Sequence, residues 1–355
     1  MAADGGRQAQ AGSKKPIWAS DPLVYRYQVF SEGYGAEDKP TPVDHLFVQL
    51  PWHKEAIGAY QDALRVAKPQ RYEHCIRIEG ESRASKTSLH RALIRNNLPR
   101  REEDGLRVPY AYIKIGSAPS ILTIGQSLLQ SLGEPSWAIK RSPEDRLAKI
   151  AEVGKQVGVQ AVGVDDLHRI VDTRGKKIQH AAADFLIDVA ERLQCPIVYS
   201  GLPRMAAIFE GNEQFRGRSG SRIEFPRLDW RKNGHNKIFN LLIDMMLDEI
   251  RKEIRIDSEV STESVKFRLY CSTGGLSGYV VLILRRAVLF CRKKKCSLSS
   301  AVLGGAVRQV IAKRKDWPNG WDPFHEKFVA TLTDSNLAMA SWIGTGGGPG
   351  GAGGK

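Results

Sequence analysis

The stretch GESRASKT, residues 80–87, decides how this chain is interpreted. It matches the phosphate-loop pattern G-x-x-x-x-G-K-[ST], except that Ser85 stands where the pattern has its second glycine. An apolar segment, HCIRIE at 74–79, precedes the stretch, and the amphipathic segment KTSLHRALIRNNL at 86–98 follows it. Strand, turn and helix are the order that a phosphate loop requires, because the free N–H groups at the helix start bind phosphate oxygens. We therefore predict that residues 80–88 bind the phosphates of a nucleotide.

Positions within this loop have separate expected tasks. Lys86 is expected to contact the β- and γ-phosphates, and Thr87 to hold Mg²⁺ through its hydroxyl. Ser85 adds a side chain where glycine allows unusual backbone dihedrals and a close approach to phosphate. An alternative stays open, in which the stretch is only a turn between strand and helix in a degenerate scaffold. The predicted nucleotide-binding residues are Gly80, Glu81, Ser82, Arg83, Ala84, Ser85, Lys86, Thr87 and Ser88.

A second segment, VQAVGVDDLHRI at 159–170, is an apolar run that ends in two acids. A carboxylate at the end of a strand beside a phosphate loop holds Mg²⁺. Asp165 is therefore the predicted metal partner of Thr87, acting through water. Asp166 follows at the position where ATP-hydrolysing proteins with a phosphate loop usually carry glutamate, which polarises the attacking water. Aspartate is shorter than glutamate by one methylene and would position that water poorly. The sequence therefore supports binding of ATP and Mg²⁺ more strongly than hydrolysis of ATP.

Short apolar runs alternate with helical patterns between residues 70 and 230. Repeated strand and helix predict parallel strands joined by right-handed crossovers, and hence a doubly wound α/β fold. From about Lys232 the spacing of Ile238 and Leu242 becomes helical, which predicts a smaller all-helical domain. The predicted divisions are a disordered arm at 1–20, an N-terminal extension packed on the core at 21–69, the α/β nucleotide-binding domain at 70–230, the helical domain at 231–300, a C-terminal extension at 301–343 and a flexible, linker-like Gly-rich tail at 344–355.

The composition favours a polyanionic partner. Across 355 residues, 53 Lys and Arg outnumber 39 Asp and Glu, which gives a net charge of +14. Neutralising nucleic-acid phosphates releases counterions, so nucleic acid is the first candidate, although simple solubility also explains the charge.

Five cysteines without a C-x-x-C pair indicate neither a disulfide framework nor a zinc site, and favour a reducing compartment.

Two features predict a cytoplasmic protein without a membrane anchor. The N-terminal residues show no basic segment followed by an apolar one, as a secretory signal would. The longest apolar stretch, YVVLILRRAVLF at 279–290, is interrupted by Arg285 and Arg286, so it does not resemble a membrane span.

The segment CPIVYSGLPRMAAIFEGNEQFRGR, residues 195–218, runs from an apolar strand with Ser200 near its end into a helix and then an arginine pair. This order resembles sensor 1 and the arginine-finger segment of AAA+ ATPases. Together with FPRL at 225–228 and VDDLHRI at 164–170, the segment more narrowly resembles the TniB/TnsC family of transposition regulators. The resemblance extends in order over residues 45–330.

The resemblance implies an AAA+ P-loop NTPase domain followed by a small helical lid, with ATP and Mg²⁺ as cofactors. It also implies ATP-dependent rings or helical filaments on duplex DNA. These would link a target-selection factor, such as a TniQ-like adaptor, to a DDE transposase, including in CRISPR-associated transposons. At the matched positions Ser200 would sense the γ-phosphate, and Asp165 and Asp166 would form the acidic pair. Arg218, or Arg216 beside it, would reach the site of a neighbouring subunit, because a guanidinium stays charged and binds phosphate bidentately.

Three positions depart from the AAA+ pattern. Ser85 and Asp166 replace glycine and glutamate. Gly278 stands where many lids carry a sensor-2 arginine, and arginines follow only at positions 285 and 286. We therefore predict an ATP-switched protein, a weak ATPase whose turnover is slow or stimulated by a partner. Two alternatives stay open: a loader or remodelling ATPase of DNA replication or repair that hydrolyses ATP rapidly, and a degenerate, non-hydrolysing DNA-binding scaffold.

The loop HRIVDTRGKK at 168–177 is the predicted DNA contact. It follows the acidic strand end and precedes a helix, whose N-terminal N–H groups would bind phosphates together with the basic side chains. Such contacts set the register on a duplex without reading its sequence. A second candidate lies at the end of another predicted strand, at Lys114. The predicted DNA-binding residues are Lys114, Thr173, Arg174, Lys176 and Lys177.

Overall fold

The computed structural model describes residue 27 and residues 40–139, 141–173, 175–211, 213–311, 317 and 320–343. Three of the sequence predictions lie outside these residues: the arm at 1–20, the tail at 344–355 and the DNA contact of Arg174. The division of the chain into domains stays a prediction.

A parallel sheet forms the centre of the α/β region. The strands along the chain are β1 (Cys75–Gly80), β2 (Arg100–Glu102), β3 (Gly105–Arg107), β4 (Tyr110–Lys114), β5 (Ala161–Asp165), β6 (Ile197–Gly201) and β7 (Ser219–Phe225). Five of them form the sheet in the order β4-β5-β6-β1-β7, with every neighbouring pair parallel, while β2 and β3 form a separate antiparallel hairpin. The sheet confirms the predicted α/β fold class, although the sequence pattern did not predict β2, β3 or β7.

Helices surround this sheet. Before residue 219 they are α1 (Pro51–Arg65), α2 (Lys86–Asn96), α3 (Ile121–Ser131), α4 (Pro143–Gln156), α5 (His168–Val171), α6 (Lys176–Leu193), α7 (Ala206–Gly211) and α8 (Glu213–Arg218). Helix α2 packs on β1, β4, β5 and β6, whereas α3, α4 and α6 pack against one another. Helix α1, from the predicted N-terminal extension, packs on β1 and on the edge strand β7.

The hand of the crossovers decides where a ligand can bind. From β1 the chain crosses through α2 to β4 at the far edge of the sheet, and every later connection runs back toward β7. Right-handed crossovers that travel in opposite directions place their helices on opposite faces. The direction therefore reverses beside β1, and ligands of such sheets bind in the crevice at this switch point, outside the carboxyl ends of the strands. The phosphate loop follows β1 directly and opens into this crevice.

The region after β7 is built from helices. They are α9 (His235–Arg251), α10 (Glu263–Thr273), α11 (Ser277–Lys294), α12 (Ser300–Val310) and α13 (Asp334–Ser341). Gly274 and Gly275, with φ of 59° and 76°, reverse the chain between α10 and α11. A Cβ on Gly275 would lie 1.9 Å from the Leu228 carbonyl oxygen, so only glycine fits where this turn packs on the end of the α/β region. The helical region after the sheet agrees with the predicted fold class.

Among the described residues, no single helix has the length and apolar content to cross a bilayer. Helices α10 and α11, bent by 113°, meet that criterion only as a pair and only by length and composition.

All five cysteines are free thiols. Four of them are buried, and burial raises the pKa of Cys75 to about 11 and that of Cys271 to about 12. Cys296 is exposed, just after the end of α11. Among the five cysteines, Cys296 is therefore the accessible thiol.

A buried chain of polar groups lies between α2 and the sheet. His90 on α2 is fully buried, and its Nδ1 and Nε2 lie 2.8 Å from the Tyr110 hydroxyl and 2.8 Å from the Ser200 hydroxyl. Burial lowers the pKa of His90, so the neutral ring donates one of these hydrogen bonds and accepts the other. Gly163 on β5 leaves the space for this arrangement. A Cβ there would lie 2.5 Å from the Tyr110 hydroxyl oxygen and 2.8 Å from His90 Nδ1.

Replacing Gly163 by alanine should therefore destabilise the protein. We expect Gly163→Ala to lower the free energy of unfolding by about 1–3 kcal/mol, because the added methyl overpacks a buried site. Urea denaturation would measure the change. Gly58→Ala on α1 is the matched control, since no atom lies within 4 Å of its added Cβ, and alanine there should stabilise the helix by about 0.5–1 kcal/mol. Equal effects of the two substitutions would contradict the steric argument.

Candidate nucleotide site

A cavity of about 540 Å³ lies beside the phosphate loop, at the carboxyl ends of the parallel strands. This volume is within the range of small-molecule sites in proteins, roughly 300–1,000 Å³. The loop and the starts of α2 and α5 line one side, and Gly278, Val281 and Leu282 of α11 line the other. Asp166 is the one carboxylate among the lining residues, against a larger set of cations. These cations, which fit a polyphosphate, are Arg83, Lys86, Arg91, Lys114, Arg169 and Arg285.

Most of the predicted nucleotide-binding residues line this cavity. Gly80, Glu81 and Ala84 do not, whereas the following residues do: Ser82, Arg83, Ser85, Lys86, Thr87 and Ser88. Gly80 is required for packing, because a Cβ there would lie 2.4 Å from the Phe225 carbonyl oxygen of β7.

Two residues of the loop have a left-handed backbone, Arg83 with φ of 69° and Ser85 with φ of 67°. Ser85 immediately precedes α2 and has a ψ of 12°. This conformation suits glycine and costs other residues roughly 1–2 kcal/mol. The turn into α2 thus explains why the phosphate-loop pattern has glycine at this position. Ser85 adopts the same turn under strain.

Helix α11 contacts the loop at Arg83. The Gly278 N–H donates a hydrogen bond of 2.9 Å to the Arg83 carbonyl oxygen, and the Arg83 guanidinium lies 5.9 Å from the centre of the Tyr279 ring. A Cβ on Gly278 would lie 2.9 Å from that carbonyl oxygen and 3.0 Å from Arg83 Cβ. Gly278, found where many lids carry arginine, is therefore the point at which the helical region rests on the phosphate loop.

Helix α1 contacts the loop at Ser85. His53 Nε2 lies 3.0 Å from Ser85 Oγ, and His53 Nδ1 accepts a hydrogen bond of 3.1 Å from the Leu50 N–H. Because Nδ1 accepts, the neutral ring carries its proton on Nε2 and donates it to Ser85 Oγ. The Ser85 hydroxyl in turn donates to the Ala84 carbonyl oxygen at 2.5 Å. Burial lowers the pKa of His53 to about 4, so the ring is neutral near pH 7.

Lys86 reaches back across the loop. Its Nζ donates to the carbonyl oxygens of Gly80 at 2.7 Å and Glu81 at 2.6 Å. Burial lowers the pKa of Lys86 to about 8, against the opposing influence of Asp165, Asp166 and Glu81. A nearby anion stabilises a buried ammonium group that has few contacts with water. Phosphate oxygens of a bound nucleotide would therefore replace the loop carbonyl oxygens as partners of Lys86.

Glu81 anchors the loop rather than facing the cavity. Its two carboxylate oxygens accept hydrogen bonds of 2.9 and 2.5 Å from Arg227, which follows β7. Arg227 also donates to the carbonyl oxygens of Gly274 at 3.0 Å and Ile343 at 2.8 Å. One guanidinium therefore connects the phosphate loop, the turn between α10 and α11, and the segment after α13.

Thr87 and Asp165 meet at the carboxyl end of β5. Asp165 Oδ2 accepts 2.7 Å from the Thr87 hydroxyl, and Oδ1 accepts 2.6 Å from the Ser200 hydroxyl. Burial by itself would raise the pKa of Asp165, but the hydroxyls of Ser200 and Thr87 and the charge of Lys114 lower it below its usual value. An ionised carboxylate and a hydroxyl are ligand types that Mg²⁺ accepts. Thr87 would bind the ion of a magnesium nucleotide directly, and Asp165 would bind it through water.

The metal would arrive with the nucleotide. Within the residues that the structure describes, no group of three or more His, Cys, Asp or Glu side chains could hold an ion without it. Ser200 is fully buried behind Asp165 and does not line the cavity. Its predicted sensing of the γ-phosphate stays a prediction, and in this geometry it would act through the Asp165 carboxylate.

Asp166 is held in place by two cations. Its backbone has a φ of 58°, and its carboxylate lies 3.2 Å from Lys114 Nζ and 3.3 Å from Arg169 Nε. The structure places Lys114, the last residue of β4, at the cavity wall beside the acidic pair, and its contact with DNA stays a prediction. A carboxylate engaged with two cations is a poor base for an attacking water.

Several cavity residues were not assigned a role from the sequence, among them His168 and Arg285. His168, at the start of α5, lines the cavity, and its Nδ1 accepts a hydrogen bond of 3.3 Å from the Leu202 N–H. Arg285 lines it from α11, and its Nε donates 2.7 Å to Asp44 in the segment before α1. Helical spacing could have found Arg285, because residues seven apart on a helix share a face and Gly278 already touches the loop.

The two candidate finger arginines lie away from the cavity. Arg216 is exposed and donates 2.8 Å to the Glu210 carbonyl oxygen. Arg218 pairs with Glu191 and lies 5.6 Å from the centre of the Tyr72 ring, near the start of β1. The cavity is at the other end of β1, about 20 Å away at the usual rise of a parallel strand. Neither arginine can therefore reach the cavity of its own chain.

The predicted DNA loop joins α5 to α6. Thr173 donates from its hydroxyl to the Arg169 carbonyl oxygen at 3.0 Å, and Gln179 donates to the Thr173 carbonyl oxygen at 2.9 Å. Lys176 and Lys177 are exposed at the first turn of α6. These three predicted DNA residues therefore lie close together, Thr173 in the connection after α5 and the two lysines at the start of α6.

The sequence model of the bacterial TniB protein family matches residues 44–227, just over half of the chain. The chain belongs to the TniB family. The match confirms the resemblance found in the sequence, and it covers the phosphate loop, the acidic pair and the arginine segment. A comparison with curated proteins gives no significant match.

Solved structures show the fold of this TniB family member. The ORC2 protein of Aeropyrum pernix, in its ADPNP–ADP complexes, is 16% identical with a TM-score of 0.58, over 81% of this chain and 72% of that one. Cdc6p from Pyrobaculum aerophilum is 15% identical with a TM-score of 0.51, over 79% and 70%. The ORC1 protein of Aeropyrum pernix in complex with DNA is 12% identical with a TM-score of 0.53, over 75% and 66%. Together with the strand order, these likenesses show the fold of an AAA+ ATPase.

Replacing Gly278 should weaken nucleotide binding by this family member. Gly278→Ala places a methyl against the Arg83 backbone, so α11 must move off the loop and its hydrogen bond is lost. A lost neutral hydrogen bond corresponds to an affinity lower by about 3- to 10-fold. Equilibrium titration with a fluorescent ATP analogue would measure it. Gly305→Ala on α12, where no atom lies within 4 Å of the added Cβ, is the control; equal affinities for the two variants would contradict this contact.

The buried ring of His53 should make stability depend on pH. Its pKa falls from 6.5 in the unfolded chain to about 4 in the folded one, so the unfolded chain binds more protons between these values. The stability that the neutral His53 ring contributes is fully present above pH 6.5. It is lost as the pH falls, and the free energy of unfolding decreases by about 2 kcal/mol between pH 7 and pH 5. His53→Gln should flatten the pH dependence of the free energy of unfolding by that amount, whereas His45→Gln, at an exposed position, should not. Parallel curves for wild type and His53→Gln would refute the assignment.

Proposed function

We propose that this TniB family member is an ATP-switched regulator of transposition, which assembles on target duplex DNA. The observation that carries the proposal is the cationic cavity at the phosphate loop, with Thr87 and Asp165 hydrogen-bonded at its edge. ATP supplies the phosphates that Lys86 would bind, and its Mg²⁺ supplies the ion for the other two residues. The ORC2 likeness in ADPNP–ADP complexes supports the choice of an adenine nucleotide.

Binding of ATP, rather than rapid turnover, is the proposed switch. Asp166 would be the base that activates water, but its carboxylate is engaged by Lys114 and Arg169. Release of these contacts by a partner would allow slow or stimulated hydrolysis. The weak ATPase activity expected from the sequence follows from this arrangement.

Two consecutive contacts, from Asp166 to Arg169 and from Arg169 to Thr173, support coupling between nucleotide binding and the predicted DNA loop. Arg169 lies on α5, where its side chain pairs with Asp166 and its carbonyl oxygen accepts from the Thr173 hydroxyl. A γ-phosphate that repositions Asp166 would pull on this helix of a single turn. The DNA loop, with Lys176 and Lys177, would then be presented differently in the ATP state and in its absence.

The arginine positions support an assembly of several subunits. Arg216 and Arg218 sit about one strand length from their own cavity, so a role at a phosphate requires the cavity of a neighbouring copy. We propose that one of them completes that cavity, which makes assembly depend on ATP. A positively charged filament or ring would then form along the duplex.

Family membership supports the remaining partners. TniB/TnsC proteins are expected to join a TniQ-like target-selection adaptor to a DDE transposase, and we propose both partners here. The net charge of +14 favours duplex DNA as the surface on which they meet. The ORC1 likeness in complex with DNA agrees with a DNA-bound AAA+ protein.

One assembly experiment separates this proposal from its rivals. With ATP and Mg²⁺, the wild-type protein should form regular assemblies on a long linear duplex in electron micrographs, and sedimentation should show cooperative loading. Without nucleotide, or with Lys86→Ala, the assemblies should be absent. Lack of any nucleotide-dependent assembly would refute the proposal. Rapid hydrolysis without DNA would favour a loader or remodelling ATPase, and equal ATP affinity of wild type and Lys86→Ala would favour the scaffold.

A second arm of the same experiment tests the DNA loop. The double variant Lys176→Ala and Lys177→Ala should keep its affinity for ATP and lower the slope of log affinity against log salt by about 2, because each lysine releases close to one counterion. Lys54→Ala, at an exposed position on α1, is the matched control and should leave the slope unchanged. An unchanged slope in the double variant would remove this loop from the DNA interface.

A further inference from the structure

The phosphate loop is supported from outside the sheet at both of its strained residues. The N-terminus of α11 donates to the Arg83 carbonyl oxygen, and His53 of α1 donates to Ser85 Oγ. A loop with glycine at position 85 would adopt the left-handed turn without strain. Ser85 needs a stabilising contact there, and within the described structure its hydroxyl has one on each side, His53 Nε2 and the Ala84 carbonyl oxygen.

The imidazole of His53 is held rigidly enough to position its partner. Its ring meets the Phe47 ring at 5.0 Å and the Phe225 ring at 4.9 Å, both edge to face. The Leu50 N–H fixes its tautomer, because that hydrogen bond occupies Nδ1 as an acceptor. The ring is 1% exposed, so water does not compete for Nε2–H. The donor therefore points at Ser85 Oγ in one orientation.

The side chain of Ser85 lies at the start of the helix that carries the phosphate-binding groups. Lys86 and Thr87 are the next two residues, so the φ of Ser85 sets the direction of both. Ser85 also lines the cavity itself. A hydroxyl that rotated away from His53 would change the loop and place a polar group in the path of the phosphates.

We propose that His53 is a positioning residue of the nucleotide site, which holds Ser85 in its left-handed conformation and makes α1 part of the phosphate loop. The proposal rests on the nucleotide binding proposed above. It has a specific consequence: the affinity for ATP depends on His53 only because residue 85 is serine. With glycine at this position, the loop keeps its shape without help from α1.

Four variants test this dependence by equilibrium titration with a fluorescent ATP analogue. His53→Leu removes the donor at similar volume and should weaken binding by about 3- to 10-fold, the effect of one lost neutral hydrogen bond. Ser85→Ala keeps the strain but removes the acceptor, and should weaken binding by a similar factor. Ser85→Gly should bind ATP at least as tightly as wild type. In the double variant, adding His53→Leu to Ser85→Gly should leave the affinity unchanged.

Unfolding measurements on the same variants separate positioning from a general loss of structure. His53→Leu also removes the acceptor for the Leu50 N–H, so it should lower the midpoint of urea denaturation in both backgrounds. Affinity for ATP should respond in the serine background alone. If His53→Leu weakens binding equally in both backgrounds, or in neither, the proposal is overturned. Ser85→Ala decides the matter should His53→Leu fail to fold, because wild-type affinity in Ser85→Ala would overturn it as well.

The same titrations keep this inference apart from the proposed function. If the wild-type protein binds no ATP, the proposed function and the role of His53 both fall. If the wild type binds ATP, but His53→Leu weakens binding equally in the serine and glycine backgrounds or in neither, only the role of His53 falls.

Discussion

The left-handed turn at Ser85 is the constraint on which the candidate site depends. Helix α2 starts directly after it, so this turn directs Lys86 and Thr87 and, through the Thr87 hydrogen bond, the Asp165 carboxylate. Glycine would adopt the turn without strain, whereas serine adopts it with a contact from His53 of α1, while α11 contacts the loop at Arg83. The phosphate loop is therefore built from three parts of the chain: the central sheet, the helix before it and the helical region after it.

The metal carboxylate, by contrast, belongs to the core. Asp165 accepts from Thr87 and Ser200, and Ser200 is bonded to the buried ring of His90, which reaches Tyr110 on β4. Moving this carboxylate would break several buried hydrogen bonds, each costly to leave unpaired. The Asp165 carboxylate is thus fixed in the core by its buried hydrogen bonds.

The sequence predicts the parts of this architecture that are local in the chain. The strands β1, β4, β5 and β6 are apolar runs, and the loop that contains Lys86 carries its own pattern, so both were predicted. Strand β7, SGSRIEF, lies at the sheet edge, where glycine, serine and arginine resemble a loop. His53 meets the site only through tertiary packing, which no spacing encodes. Arg285 shares a helix face with Gly278, so helical spacing could have found it. The sequence does not reveal that Lys114 pairs with Asp166, and its contact with DNA stays a prediction.

Helix α11 contacts the phosphate loop at one end and has an exposed cysteine at the other. It begins against Arg83 of the phosphate loop and runs for 18 residues, a length of about 27 Å. The exposed thiol of Cys296 follows its last turn, while the remaining thiols are buried. A maleimide fluorophore would therefore attach to the natural chain at the far end of this helix, where its emission would report whether α11 tilts when nucleotide is added.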